Sequence, residues 1–304
     1  MHALYHKGQT GSGRCGESWD VSTLDGNMSV VSNGFLKGNE LGELIEVYMG
    51  DLVGDSVFGI HGTSLPILVK LIDSTTPLSI QVHPGDQDAR GERQGGGKSE
   101  LWYVMAADPG AQIHVGFNRD LDAPGFLREL ERKTLSQVLN AEPAVPGDVF
   151  YIPAGRIHAI GGGVTLCEIQ QPADTTYRVY DWDRVGLDGK PRELHLGDAL
   201  EVLDFGGQPS GKTSYQVREN ASVCLHASPP FTTNLICFDR KISSDLYYLD
   251  SFVVYVCVEG ACSLHYPGGS ETLRQGETLM LPAEIKTFDL VPEGTCRILE
   301  TYIS

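Results

Sequence analysis

Two stretches of the chain, GDVFYIPAGRIHAI from Gly147 and GETLMLPAEIKTFDL from Gly276, run in step 129 positions apart. Each reads glycine, an acidic residue, a short apolar run, proline and alanine, so that Pro153 answers Pro282 and His158 answers Thr287. A repeat of this kind constrains the fold more than any single motif does, because two copies of one pattern imply two copies of one structural unit. The runs are of strand length, rich in β-forming residues and closed by Gly or Pro. SLPILVKLID (64–73), PLSIQVHP (77–84) and ELWYVMAAD (100–108) share that character, and 36 glycines in 304 residues suit a chain of short strands and tight turns. The expected fold is mainly β, with two related β-barrels. A first domain over 1–213 keeps polar residues at the informative positions, and a second over 214–304 has lost the histidine and carries no metal ligands. A helical insertion is expected at about 121–140, where Leu127, Leu130 and Val138 share one face. NELGELIEVYM and PRELHLGDALEVLDF read as further helical segments.

The formal charge of −17 disfavours nucleic-acid backbones and anionic membrane surfaces. A small anionic substrate stays compatible if basic residues gather locally. Seven cysteines with no C-x-x-C pair read as free thiols of a reducing compartment. MHALYHKGQT lacks the apolar core of a secretory signal, and no run approaches the ~18 apolar residues of a membrane span, so a cytoplasmic protein is expected.

Four residues make a candidate metal site. Gln81 and His83 are two apart in a strand, so their side chains leave the same face while Ile80 and Val82 face the other way. Glu100 opens the next aromatic run, and His158 follows the I-P-A-G turn. Imidazole nitrogens and a carboxylate oxygen suit Zn²⁺ at about 2.0–2.2 Å. One carboxylate with neutral histidines leaves the ion charged enough to act as a Lewis acid, a catalytic rather than a closed structural set. Any one of these histidines alone is an ordinary residue; the signal is the ensemble. His114 and His226 read as structural.

The string LSIQVHPGDQDA…GKSELWYV…GDVFYIPAGRIHAIG…QQPADTTYRVYDWDR resembles type I mannose-6-phosphate isomerases in their short bacterial form. The resemblance runs from about Glu17-Ser18-Trp19 to about Arg184 and fades over the C-terminal third. It implies cupin (jelly-roll) barrels, only the first of them catalytic, and one zinc ion held by Gln81, His83, Glu100 and His158. It also implies that Arg178 is the active-site arginine, and that the reaction interconverts mannose 6-phosphate and fructose 6-phosphate through a cis-enediolate. Longer members carry N-H-K-P-E where this chain reads G-G-K-S-E, so Lys98 and Glu100 survive and the preceding histidine does not.

Lys98 stands two residues before Glu100 and would face the same cavity, at the substrate phosphate or as the base; a solvated lysine of a glycine-rich loop is the plainer reading. Arg178 lies in the strand-like TTYRVYDWDR, opposite in facing to Tyr177 and Val179. Local sequence alone also fits an arginine paired with Asp181 or Asp183. Arg184 and Arg156 are further candidates for a phosphate. Two other readings stay open: another metal-dependent cupin, either a sugar-phosphate isomerase or an Fe²⁺ oxygenase, and a non-catalytic sugar-binding cupin, since fold alone does not assign function. No oligomeric state follows from the sequence.

Overall fold

The structure, a computed structural model, describes residues 15–87, 96–186 and 189–304. The reading of MHALYHKGQT lies outside the described residues. In chain order the first elements are β1 (Glu17–Val21), α1 (Leu41–Val53), α2 (Asp55–His61), β2 (Leu68–Ser74), β3 (Ile80–Val82), β4 (Glu100–Ala107) and β5 (Gln112–Phe117). There follow α3 (Ala123–Glu131), a 3-10 turn at Leu135–Val138, β6 (Leu139–Pro143), β7 (Val149–Ile152), β8 (His158–Ile160), β9 (Val164–Gln170), β10 (Tyr177–Tyr180) and α4 (Leu196–Val202). The remainder is strand: β11 (Ala221–Ala227), β12 (Thr232–Phe238), β13 (Ile242–Asp245), β14 (Val253–Glu259), β15 (Ala261–Tyr266), β16 (Gly269–Arg274), β17 (Thr278–Leu281), β18 (Thr287–Pro292) and β19 (Cys296–Tyr302). The protein is mainly β, as its sequence implies.

Two compact units emerge. One is Ile72–Thr213; the other joins the described residues up to Leu71 with Ser214–Ser304, and β2 carries the chain across the boundary. In the first unit one sheet contains the run β2-β9-β4-β7 and the other the order β10-β3-β8-β5-β6. In the second unit the sheets are β11-β12-β19-β14-β17 and β13-β18-β15-β16. Adding ten to each label of β2 to β9 reproduces the pairing of β12 to β19. The short sequence repeat is therefore the visible remnant of an eight-strand duplication, a jelly-roll barrel present twice.

The first barrel encloses Trp102, Val104, Ile113, Val115, Phe150, Ile152 and Leu166 between its sheets. The opposite face of β3, β8 and β10 buries Ile80, Val82, Ala159, Tyr177 and Val179 with Phe126, Leu135, Val138, Ala199 and Leu203. The helices thus cover the apolar back of the sheet that carries Gln81 and His158 on its front, and each fully buried large side chain contributes roughly 1.5–3 kcal/mol. Helix α3 starts where it does because the Asp122 side chain caps it, accepting from the Gly125 N–H at 2.7 Å, with Pro124 pre-set for the first turn.

The second barrel is filled differently. Ile236, Val253, Tyr255, Cys257, Cys262, Leu264, Phe288, Leu290, Cys296 and Ile298 form its core. Thr287, which the sequence aligns with His158, is exposed at the start of β18, and the inward neighbour is Phe288, buried against Tyr255 with ring centroids 5.9 Å apart. Register fixes other equivalences. Glu100 pairs with Ile152 and Gln170, and Val253 pairs with Leu281 and Tyr302. Trp102 then matches Tyr255, and Glu168 matches Glu300. Both barrels join these two positions: Trp102 Nε1 donates to Glu168 at 2.8 Å, and the Tyr255 hydroxyl donates to Glu300 at 2.9 Å. None of the seven cysteines, all among the described residues, forms a disulfide.

Candidate metal centre

Four short strand segments deliver the site to one end of the first barrel. Gln81 on β3 is in direct register with His158 on β8, and on its other side with Arg178 on β10. Residues opposite one another in an antiparallel pair share a face, so Arg178, Gln81 and His158 form one row across the sheet. His83 follows Gln81 by two and keeps its facing. Glu100, the first residue of β4, comes from the opposing sheet. The I-P-A-G turn is held in place by Gly155, whose φ of +81° favours glycine and whose N–H donates to the His83 carbonyl at 2.8 Å. A Cβ there would stand 2.9 Å from the Val202 carbonyl oxygen.

His83, Glu100 and His158 are each at most 1 % exposed, and one ligand atom from each lies within 4.8 Å of the others. His83 Nε2 is 3.1 Å from Glu100 Oε1, and His158 Nε2 is 3.8 Å from Glu100 Oε2. Both rings have their other nitrogen committed. Nδ1 of His83 meets the Thr175 carbonyl at 2.9 Å, and Nδ1 of His158 meets the Arg156 carbonyl at 2.9 Å. A carbonyl only accepts, so each Nδ1 carries the proton and each Nε2 presents a lone pair to the carboxylate. Neither Glu100 oxygen completes a hydrogen bond. Lone pairs facing a carboxylate in a dry interior repel unless cations stand among them; Lys98 Nζ meets Glu100 Oε1 at 3.1 Å, which leaves Glu100 Oε2 and His158 Nε2 facing each other at 3.8 Å, a separation of atoms that can share one ion. The Nδ1–carbonyl bonds are the outer support that metal-binding histidines ordinarily carry. The three residues therefore fit a metal ion.

Gln81 completes the sequence-derived set. Its Nε2 stands 3.3 Å from His158 Nε2, and its Oε1 accepts from the Ser79 hydroxyl at 3.4 Å. Because that hydroxyl can equally accept, the amide can turn and present its oxygen to the His158 side at little cost.

Burial sets the electrostatics. It lowers His83 to about 3, helped by the charge of Lys98, and lowers His158 as well, so both rings are neutral at physiological pH, the form that can bind a metal. Burial alone would raise Glu100; Lys98, His83 and His158 outweigh it and hold the carboxyl well below its usual range.

Lys98 is not a solvated loop lysine. It is 4 % exposed, with Nζ 3.1 Å from Glu100 Oε1 and 3.4 Å from His83 Nε2. Its loop is pinned from several sides. The Lys98 N–H donates to the Pro84 carbonyl at 3.0 Å, Gly97 N–H to Asp86 at 2.7 Å, and Ser99 N–H to Gln171 Oε1 at 3.0 Å. A Cβ on Gly97 would meet Asp86 Oδ1 at 2.6 Å, so the close approach requires glycine.

Arg178 faces the same side as Gln81, donates from Nη1 to the Glu193 carbonyl at 3.0 Å, and buries an Nε with no partner. Asp181 is taken instead by Arg184, at 2.6 Å, and by Arg192. The local pairing of Arg178 that the sequence allowed is thus replaced: Asp181 is held by Arg184 and Arg192, and Asp183 by Lys133 at 2.6 Å. Burial first, then the charge of Arg192, pushes Arg178 below its ordinary value. Burial also lowers Arg156, against the opposing charges of Asp204 and Tyr151, and its carbonyl meets His158 Nδ1. His114 and His226 lie outside the group.

Two residues near the site escaped the sequence reading: Glu168 and Gln170, which line the inward face of β9. The signal was present in VTLCEIQQ, where polar residues replace apolar ones at alternate positions of a strand that is otherwise fully buried.

Residues 10–110 match the model of the phosphomannose isomerase type I catalytic domain. Mannose-6-phosphate isomerase ManA of Bacillus subtilis (strain 168) is 32% identical over 289 residues, covering 94% of this chain and 89% of that protein. The mannose-6-phosphate isomerase of Streptococcus mutans serotype c is 32% identical over 290 residues, with 94% and 88% coverage. The crystal structure of the mannose 6-phosphate isomerase from Bacillus subtilis superposes with a TM-score of 0.87 at 29% identity, over 99% of this chain and 94% of that one. With a duplicated cupin barrel, a buried His-Glu-His group and relatives matched over nearly their whole length, this chain belongs to the type I mannose-6-phosphate isomerase family.

Proposed function

We propose that this protein is a zinc-dependent aldose–ketose isomerase that interconverts mannose 6-phosphate and fructose 6-phosphate. The observation that carries the reading is the buried group of His83, Glu100 and His158, with both Nδ1 protons committed to backbone carbonyls and the Nε2 lone pairs turned to a carboxylate without hydrogen bonds. Gln81, His83, Glu100 and His158 would hold one ion. Bound there, zinc would supply a Lewis acid that stabilises negative charge on oxygen.

The chain's own residues do the rest. In the reaction a proton leaves the carbon beside the carbonyl, giving a cis-enediolate, and a proton returns to the neighbouring carbon. Negative charge grows on oxygen in the transition state, so a fixed cation there stabilises it differentially. Lys98, 3.1 Å from Glu100, and Arg178, in the row with Gln81, are cations beside the group, and Lys98 is the candidate for holding or moving a proton at Nζ. The cluster of Arg178, Arg184 and Arg192 sets three guanidinium groups against the one buried carboxylate of Asp181, leaving a positive excess for a phosphate dianion. Adjacent strands lie about 4.8 Å apart, so Arg178 stands roughly 10 Å from His158 across the row, a span suited to a sugar with its phosphate at the far end.

In this reading the catalytic part of 1–213 is the barrel of Ile72–Thr213, and 214–304 contributes a degenerate barrel whose interior is filled by Tyr255 and Phe288 rather than by ligands. Among the described residues no helix is long and apolar enough to cross a membrane, and we place the enzyme in the cytoplasm. The test is a coupled assay of mannose 6-phosphate conversion before chelation, after it, and after zinc is restored. Activity lost and regained supports substrate and metal together. A folded, zinc-loaded sample with no turnover overturns the substrate assignment.

A further inference from the structure

Gln170 ends β9 in register with Glu100, so the two side chains stand next to each other on the inward face of the barrel. It is completely buried. Its amide nitrogen donates to two backbone carbonyls, of Gln171 at 2.8 Å and of Ala173 at 2.7 Å. Both partners can only accept, so a turned amide would lose both bonds, and the orientation of the group is fixed. The oxygen is therefore pinned toward the interior, and Oε1 has no partner. Buried polar atoms are almost always paired, and an orphaned acceptor in a dry interior asks what completes it. Glu100 beside it has the Lys98 ammonium at 3.1 Å and belongs to the metal-binding group, so Gln170 Oε1 is the acceptor left over, and its complement is a ligand that brings a hydroxyl donor.

We infer that Gln170 is a substrate-binding residue whose carboxamide oxygen accepts a hydrogen bond from one hydroxyl of the sugar phosphate held at the metal centre. The inference rests on the isomerase reading and deepens it. A site built to receive a hydroxyl rejects analogues that lack it far more strongly than an apolar pocket discriminates by size, so Gln170 is a determinant of specificity among sugar phosphates.

The experiment measures inhibition constants of a hexitol 6-phosphate and its monodeoxy analogues on the zinc-loaded wild type and on Gln170→Leu, with metal content and unfolding midpoint recorded for each protein. In the wild type, removal of one particular hydroxyl is expected to weaken binding roughly tenfold or more, the range for a buried acceptor left without its donor. In Q170L the parent compound loses a similar factor, and that same deoxy analogue loses nothing further, so the two changes are coupled. Metal content stays at the wild-type level. Equal losses for every analogue in Q170L would overturn the inference and leave Gln170 a structural brace of the 171–173 turn. Loss of metal in Q170L would overturn it in favour of a metal-supporting role. Should Q170L not fold, Gln170→Asn, which keeps the amide and withdraws the oxygen by one methylene, is held to the same criterion. Because the readout is binding, a wild type that binds the hexitol phosphate but does not turn over mannose 6-phosphate refutes the reaction and not the contact; a wild type that binds none of the series refutes both.

Discussion

Glu100→Gln isolates the charge on which the metal centre depends. The substitution keeps the shape of the side chain and removes the one carboxylate of the ligand group. Its oxygens lie 3.1 Å from His83 Nε2 and 3.8 Å from His158 Nε2, in a site that excludes water. At about 4 Å and an effective dielectric near 20, one unit of charge is worth about 4 kcal/mol. Each 1.4 kcal/mol is tenfold, so metal affinity is expected to fall about a thousandfold or more. A second effect appears without metal. Lys98, 4 % exposed, loses its counter-charge at 3.1 Å. Breaking a buried pair costs about 3–5 kcal/mol, with the lower end expected because His83 Nε2 still faces the ammonium at 3.4 Å. The measurements are zinc per chain after dialysis, by mass spectrometry, and urea unfolding of the metal-free proteins. E100Q should retain little zinc, turn over no substrate, and unfold at lower urea than metal-free wild type. Stoichiometric zinc in dialysed E100Q would refute the reasoning, because the carboxylate would then not be a required ligand.

Arg178→Ala should keep zinc and fold while kcat drops roughly a hundredfold, the scale of one lost transition-state donor; unchanged kcat would remove Arg178 from the chemistry. Metal-free protein should lose stability as pH falls. His83, held at about 3 by burial and by Lys98, stays neutral in the fold, whereas the unfolded chain takes up a proton near 6.5. Its contribution is complete above about pH 6.5 and is lost progressively toward pH 3. Urea midpoints at pH 7.5 and 5 should therefore differ less in His83→Gln than in wild type, and equal slopes would contradict the assignment. Tyr255→Phe, in the second barrel, should lower stability by about 1–3 kcal/mol by taking the hydroxyl donor from Glu300, with zinc content and KM unchanged; altered zinc content would show that the two barrels are coupled.

What could be read from the sequence follows the physics of strands. The period of two set Gln81 and His83 on one face and Arg178 opposite Tyr177 and Val179, and register in the structure puts Arg178 beside Gln81. The repeat predicted the doubling of the barrel, although its one-to-one alignment at Thr287 conceals that Phe288 is the inward residue. What stayed hidden depends on pairing across distant segments. Nothing local says that Gln170 lies opposite Glu100, that the Asp86 and Gln171 side chains fix the loop of Lys98, or that Asp181 is claimed by Arg184 and Arg192 rather than by Arg178. The grouping of residues up to Leu71 with the C-terminal barrel is equally a matter of tertiary packing, to which hydrophobic periodicity is blind.

The aromatic donor and buried glutamate occur at the same lattice point of both barrels, as Trp102 with Glu168 and as Tyr255 with Glu300, although among the described residues only the first barrel has a His-Glu-His group that could hold a metal beside it. A feature retained where there is no chemistry is part of the scaffolding. Glu168 holds Trp102, whose ring stands 5.4 Å from that of His158, so a loss of activity on removing it mixes a folding cost with any chemical one. The inert copy thus serves as an internal control: the corresponding change at Glu300 measures the cost of the brace alone, and only a deficit at Glu168 beyond that cost could be counted as catalysis.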